Sequence, residues 1–514
     1  MLTINIPADG LFLAVQKAAD GDLSRDNVER IINDYIGSFL EAKPDIIFLN
    51  VCYRRALTPS EVFDSYLYDI ETNENGYAVR DEQNRSVKTL SPTTEGVSKY
   101  FMSFVLCARI LLQSGIDVYK IAVARIRKTE CRVFLSVRMN DAHYTENVAI
   151  NSSFALKNGC ANTAEKNGVN LDYSKESVQN YYYAYIAELL SQYDVDGIEL
   201  DWLRYPTVLP QDKRSDFGII GDYMKRLRRL IGGYSKVVAI RVLATEEENL
   251  SNGLDVGMWV ADGSVDVITI ENFYVPTNYE LPVVAWRESI EKKNADHNPY
   301  CLLCGSDWAV SCVSNYNLAM TPALVRGFAD TCFENDADGI YLFNYFEQND
   351  TSSFEFVRDE NSGSLKNCFF ERIQAAKAWQ DLPRRYVHIG NSKKRYPISL
   401  CSGECYEFAK TIKSPFEKCR IVFGCDLDAT LSVYANGALL NNAQKEKTCS
   451  EFAYIPPSEI GRENHFIYAL TQAAPFVFSV DIPINIFEND SVNVKIKNDA
   501  CNEMNIMWIE IVCE

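Results

Sequence analysis

The chain has 514 residues, 47% of them hydrophobic and 24% charged; that length exceeds what one hydrophobic core organises, so two domains are expected. The formal net charge of −19 argues against partners that rely on clustered Lys and Arg, and neither nucleic acid nor an anionic membrane is expected to bind. No apolar run is long enough to span a membrane, and the opening MLTINIPADGLF lacks the basic and apolar regions of a signal peptide, so a cytoplasmic location is expected.

In chain order, GLFLAVQ at 10–16 reads as a first strand. Ser24 then caps a helix whose apolar stripe is Val28, Ile31, Ile32, Tyr35, Ile36, Phe39 and Leu40. Pro44 ends that helix and 45–53, DIIFLNVCY, forms the second strand, carrying Asn50. The stretch 54–94 is too polar for core and reads either as a binding loop, lid or partner contact, or as a solvated insertion.

Helices near 96–113 and 116–128 precede a third strand at 131–144, with Ser136, Arg138 and Asn140 on one face and Asp141 and His143 at its end. Such a cluster of hydrogen-bonding groups suits a polyhydroxylated ligand. Ser174 caps the next helix, with Val178, Tyr182, Tyr185, Ile186, Leu189 and Leu190 as its stripe.

That helix leads to VDGIELDWLRYP, 195–206. Period-two alternation puts Glu199 and Asp201 on one face and Ile198 and Leu200 on the other. Strands of α/β proteins are covered by apolar packing on both faces, so two acids in a row imply a pocket or a buried ion pair with Arg204 or Arg241.

The remaining strands are 237–247 with Arg241, 265–276 ending in Glu271, Asn272 and Tyr274, 300–310 ending in Asp307 and Trp308, and 338–348 ending in Asn344, Tyr345 and Glu347. Thr321 and Pro322 begin a helix in the favoured cap and first-turn order. Eight strands, most followed by helices, predict a (β/α)8 barrel at 1–382 with the polar residues gathered at the C-terminal strand ends, where such barrels carry their sites. From 383 to 514 short β-like segments and an ANG turn at 435–437 predict an antiparallel sandwich of jelly-roll type.

Most of the sixteen cysteines sit singly in apolar segments, as Cys52, Cys107, Cys332 and Cys425 do, and read as thiols. The Cys301/Cys304 and Cys401/Cys405 pairs lack the further ligands of a zinc site, and only four histidines are present, so neither metal nor cofactor is expected.

The segments FLSVRMNDAHY, YDVDGIELDWLRYP, GLDVGMWVADGSVD and DGIYLFNYF resemble those of bacterial glycosyl hydrolases described as family-10-like, one subgroup of which carries a C-terminal β domain. The resemblance implies a glycoside hydrolase but no particular sugar. The fourth-strand motif is also similar to the chitinase signature DGIDLDWEYP, whose last acid protonates the glycosidic oxygen. Leu203 stands at that position, and an apolar side chain cannot supply the proton.

Glycoside hydrolysis needs two carboxyl groups across the anomeric carbon. Asp201 is expected as nucleophile and Glu271 as acid/base, following the fourth- and sixth-strand layout of several retaining barrels that this one resembles. Glu199 is an orienting acid one layer deeper, and Asp307 and Glu347 are reserves. Asn50, Arg138, Asn140, Asp141, His143, Trp202, Arg204, Arg241, Tyr274, Asp307, Trp308 and Asn344 are expected to bind substrate, with Tyr345 a further aromatic. Retention and exo action on a small glycoside are expected, in a chain that forms a homo-oligomer. The rival readings are a sugar-binding or scaffold barrel without chemistry, and a lyase or isomerase whose Arg138 and Arg241 hold the carboxylate of a sugar acid.

Overall fold

The computed structural model describes residues 1–66, 69–70, 88–89, 99–142, 154, 170–272, 279–307, 309–313, 316–319, 321–343, 356–358, 365–367, 369–388, 397–413, 415–428, 430–440, 444–445 and 476–514. Eight strands close a barrel: β1 Leu2–Ile6, β2 Ile46–Asn50, β3 Arg132–Arg138, β4 Gly197–Asp201, β5 Val237–Leu243, β6 Val267–Glu271, β7 Cys301–Ser306 and β8 Gly339–Leu342, in the order β1-β8-β7-β6-β5-β4-β3-β2. The pairings from β1 round through β2 to β7 are all parallel.

The first strand differs from expectation. GLFLAVQ lies in helix α1, Gly10–Ala18, and the barrel opens instead with LTINI. Leu11, Phe12 and Val15 are buried on one side of the helix while Gln16 and Lys17 are exposed, a helical spacing. Seven mostly apolar residues carry too little periodicity to separate strand from helix. In β1 even Thr3 and Asn5 are buried, so its polar content hid it.

Helix α2, Arg25–Leu40, begins at Ser24 and buries the expected Val28, Ile31, Ile32, Ile36 and Phe39. Helix α3, Glu176–Gln192, buries its full expected stripe, but its N-cap is Lys175; Ser174 hydrogen-bonds Asp172 instead. Each fully buried Leu or Ile of these stripes contributes roughly 1.5–3 kcal/mol.

The excursion after β2 is not solvated at its start. Arg54, Arg55, Thr58, Phe63, Asp64 and Ser65 are all buried. Phe63 stacks on Tyr181 and Tyr185 of α3, with ring centroids 4.3 Å apart in both pairs. The Thr58 and Tyr185 hydroxyls meet at 2.9 Å, and Glu188 accepts from the Ser60 hydroxyl at 2.5 Å and from the Glu61 N–H at 2.8 Å. Thr58, Ser60 and the Glu61 N–H are therefore paired with α3.

By backbone contact the chain falls into two compact units, Met1–Phe273 with Pro282–Cys304, and Tyr274–Leu281 with Gly305–Glu514. The second contains a six-stranded and a four-stranded sheet, both antiparallel, as expected of the C-terminal sandwich. Strand Cys405–Thr411 alternates buried and exposed residues, the pattern of a sheet covered on one face. Asn436 and Gly437, both at positive φ, form the expected hairpin turn between Ala435 and Ala438.

Within that same unit helix Pro322–Glu334, capped by Thr321, packs on strand Arg384–His388. A Cβ on Gly327 would lie 2.0 Å from the Arg385 carbonyl oxygen, so only glycine permits the approach. Asp330 accepts from Tyr386 at 2.7 Å and from Arg384 at 3.4 Å.

Candidate active site

The barrel's inward-facing residues change from apolar to polar along the strands. Phe48 of β2 and Phe134 of β3 meet edge to face at 5.2 Å. Gly197 of β4 makes room for them, since a Cβ there would meet the Phe134 ring at 2.5 Å and the Val237 carbonyl at 2.7 Å. One pair further along, Ser136 lies beside Glu199; the next pairs are Arg138 with Asp201 and Asp201 with Arg241, and Leu243 pairs with Glu271.

This register places the Arg241 guanidinium between two acids. Its Nη1 donates to Asp201 Oδ2 at 3.2 Å and its Nε to Glu271 Oε2 at 2.9 Å. The three residues are only 1%, 1% and 2% exposed in the order Arg241, Asp201, Glu271. Asp201 Oδ1 also accepts from the Leu203 N–H at 3.1 Å. Leu203, 1% exposed, thus supplies a backbone donor to the acid before it where the chitinase motif carries its own acid. Glu199 is fully buried and accepts from Ser136 Oγ at 2.5 Å.

A second ion pair adjoins the first. Arg138 Nη1 donates to Asp141 Oδ2 at 2.6 Å, and the guanidinium lies 4.6 Å over the Tyr53 ring. Asn50 accepts from Arg138 Nε at 3.2 Å and donates to the Cys52 carbonyl at 2.8 Å. Burial works against the Arg138 charge, but Asp141 chiefly, with Asp201, outweighs it and raises the pKa above the usual arginine value. Burial also pushes the Cys52 thiol up to about 12, against the opposing pull of Arg138, so this cysteine stays protonated and unreactive at neutral pH.

Asn140 has its hydrogen-bonding capacity filled by the protein. Nδ2 donates to the Tyr205 carbonyl at 2.6 Å and the Thr207 carbonyl at 3.1 Å; Oδ1 accepts from the Leu171 N–H at 2.9 Å and from Arg54 Nη1 at 3.3 Å. It ties the segment after β4 to two others and leaves nothing for a sugar hydroxyl. Arg54 escaped notice in the sequence because it opens the polar excursion. Burial lowers its pKa, with Tyr182 and Asp141 acting in the opposite direction.

Trp202 does not lie where a sugar could stack. It is fully buried, edge-on to Tyr173 at 5.1 Å and tilted against Trp259 at 6.4 Å. The alternation that turns Asp201 inward turns the next residue outward, a signal already present in the strand's period. Arg204 is 9% exposed, and Asp307, at the end of β7, is half-buried. His143, Tyr274, Trp308, Asn344, Tyr345 and Glu347 lie outside the described residues.

No group of three or more His, Cys, Asp or Glu among the described residues could hold a metal ion. No described helix is long and apolar enough to cross a membrane.

No protein-family model matches this sequence, nor does any curated protein sequence. Among solved structures, the chain is similar to a cycloisomaltooligosaccharide glucanotransferase of Paenibacillus sp. complexed with cycloisomaltoheptaose, at 9% identity and TM-score 0.33, over 99% of this chain and 57% of that one. It is similar also to the PgaB (BpsB) glycoside hydrolase domain of Bordetella bronchiseptica, at 9% identity and TM-score 0.37, over 66% of this chain and 93% of that domain. A third is catalytic domain 2 of the Ostrinia furnacalis Group II chitinase, at 10% identity and TM-score 0.38, over 74% of this chain and 98% of that one. At these values the functional reading rests on the chain's own residues.

Proposed function

We propose that the chain is a glycoside hydrolase in which Asp201 and Glu271 act on the two sides of a glycosidic bond. The observation that carries the reading is the Arg241 bridge between two buried carboxylates at the C-terminal ends of two barrel strands. Barrel enzymes carry their chemistry at those ends. Two carboxylates on one guanidinium leave one net negative charge, which suits the positive charge that develops at an anomeric carbon in the transition state.

In this mechanism Asp201, held in place by Arg241 and the Leu203 N–H, attacks the anomeric carbon as Glu271 protonates the departing oxygen. Glu271 then takes a proton from water, whose oxygen cleaves the glycosyl-enzyme ester and releases Asp201 with net retention. Glu199, one layer deeper on the same strand as Asp201 and bonded to Ser136, is the supporting acid of this reading. The remaining parts of the reading are membership of the family-10-like group, a barrel domain at 1–382 and a β domain at 383–514, exo action on a small glycoside, a homo-oligomer and a cytoplasmic location.

The competing reading, a barrel that binds sugar without cleaving it, draws on the same triad, since an arginine that bridges two acids also suits a static ion cluster. The lyase or isomerase reading is weakened because Arg138 and Arg241 are engaged by Asp141, Asp201 and Glu271. Incubation with a panel of chromogenic glycosides in heavy-oxygen water separates the three. A hydrolase places the heavy oxygen on the released sugar, a lyase yields an unsaturated product, and a binder shows saturable affinity with no product.

A further inference from the structure

We propose that Cys419 and Cys513 form a redox pair, two thiols that a small disulfide of the glutathione type closes into a cross-strand bond that locks the second unit. The inference is independent of the hydrolase reading. Strands Cys419–Cys425 and Met504–Cys513 run antiparallel in the six-stranded sheet, with Cys419 directly opposite Cys513. Beside them Lys418 and Glu514 exchange both backbone bonds, at 2.7 and 2.9 Å. The alternation of an antiparallel ladder therefore makes Cys419 and Cys513 a non-hydrogen-bonded pair, the kind whose side chains come closest. In agreement, the Cys419 carbonyl turns to its other side and accepts from the Ile482 N–H at 2.8 Å.

The Cα atoms of such a pair lie about 4.5 Å apart, within the roughly 4.4–6.8 Å that a disulfide spans. The Cys513 thiol donates to the Cys419 sulfur at 4.0 Å, so closing the bond takes side-chain rotation with the strands in place. Both cysteines are buried. The bond from Cys513 chiefly, with burial, pushes the Cys419 thiol well above its usual range, so the closed sheet keeps it protonated and slow to react. Access comes from the next pair outward: Lys418 and Glu514 are exposed, and fraying of that pair brings the thiols to solvent. One cysteine thiolate then attacks oxidised glutathione, forming a mixed disulfide and releasing one glutathione thiol, and the other cysteine displaces the second. Two electrons and two protons leave the cysteines and reduce one glutathione disulfide to two thiols. The new bond ties together residues 94 positions apart, which restricts the unfolded chain and so stabilises the folded unit.

The test unfolds the full chain in urea and refolds it with reduced or with oxidised glutathione, then alkylates free thiols, maps the linked peptides and records thermal melts. Oxidised glutathione should link Cys419 to Cys513 and raise the melting temperature by about 5 °C or more, and reduced glutathione should do neither. A double variant, Cys401→Ser with Cys501→Ser, removes two exposed thiols and should leave both results unchanged. Cys419→Ala and Cys513→Ala should each abolish the link and the rise. Refolding gives the oxidant full access, so recovery of Cys419 and Cys513 as alkylated thiols, or in other pairings, overturns the redox pair. A link between them with no rise in melting temperature overturns the lock.

Discussion

Arg241→Met removes the cation between Asp201 and Glu271 while keeping much of the side chain's volume. At an effective dielectric constant near 20, contacts of 3.2 and 2.9 Å are each worth roughly 5 kcal/mol in gross attraction. Much of that only offsets the cost of taking the charges out of water, and deleting one partner of a buried pair costs about 3–5 kcal/mol net. The variant should therefore lose about 3–5 kcal/mol in urea unfolding at neutral pH. Two uncompensated buried carboxylates cannot both stay ionised, so one should bind a proton with a folded pKa raised above its unfolded value. The folded state then binds more protons than the unfolded state between those two values, and stability falls as pH rises through that window. Urea melts across the acidic to neutral range read both effects. A variant within about 1 kcal/mol of wild type, with the same pH dependence, would refute the triad as a coupled unit.

Asn140→Ala strips partners from the Tyr205 and Thr207 carbonyls, the Leu171 N–H and Arg54; about 3 kcal/mol of stability should be lost in chemical unfolding. Gly197→Ala drives a methyl into the Phe134 ring and the Val237 carbonyl, and a loss of about 2 kcal/mol or more in the same assay is expected. Lys410 is buried in the second unit, 4.0 Å from the Glu280 carboxylate, and burial lowers its pKa from the usual 10.5 in spite of Glu280. Because its folded pKa lies below its unfolded one, stability should rise with pH from the lowered value up to 10.5, and Lys410→Met should flatten that rise in thermal melts.

The barrel was legible because seven of its strands are largely apolar runs, five of them ending in a polar residue, and the period-two alternation of 195–206 puts both acids on one face. β1 was not legible: LTINI buries Thr3 and Asn5, while the more apolar neighbour forms the helix. Arg241 was expected to meet an acid or a substrate, and it meets two acids, because the register offsets β5 and β6 enough for one guanidinium to reach both. Composition could not show that most of 54–66 is buried, since Thr58 and Ser60 find their partners in Tyr185 and Glu188, more than a hundred positions away. Trp202 was misplaced by treating the end of a strand as though every side chain there faced the site.

The chemical roles of Asp201 and Glu271 are tested most directly by turnover of Asp201→Asn and Glu271→Gln, with melting curves, on a glycoside that wild type cleaves. Each isosteric variant should keep its fold and lose activity by orders of magnitude. Near wild-type turnover in either one would contradict the assignment of that residue.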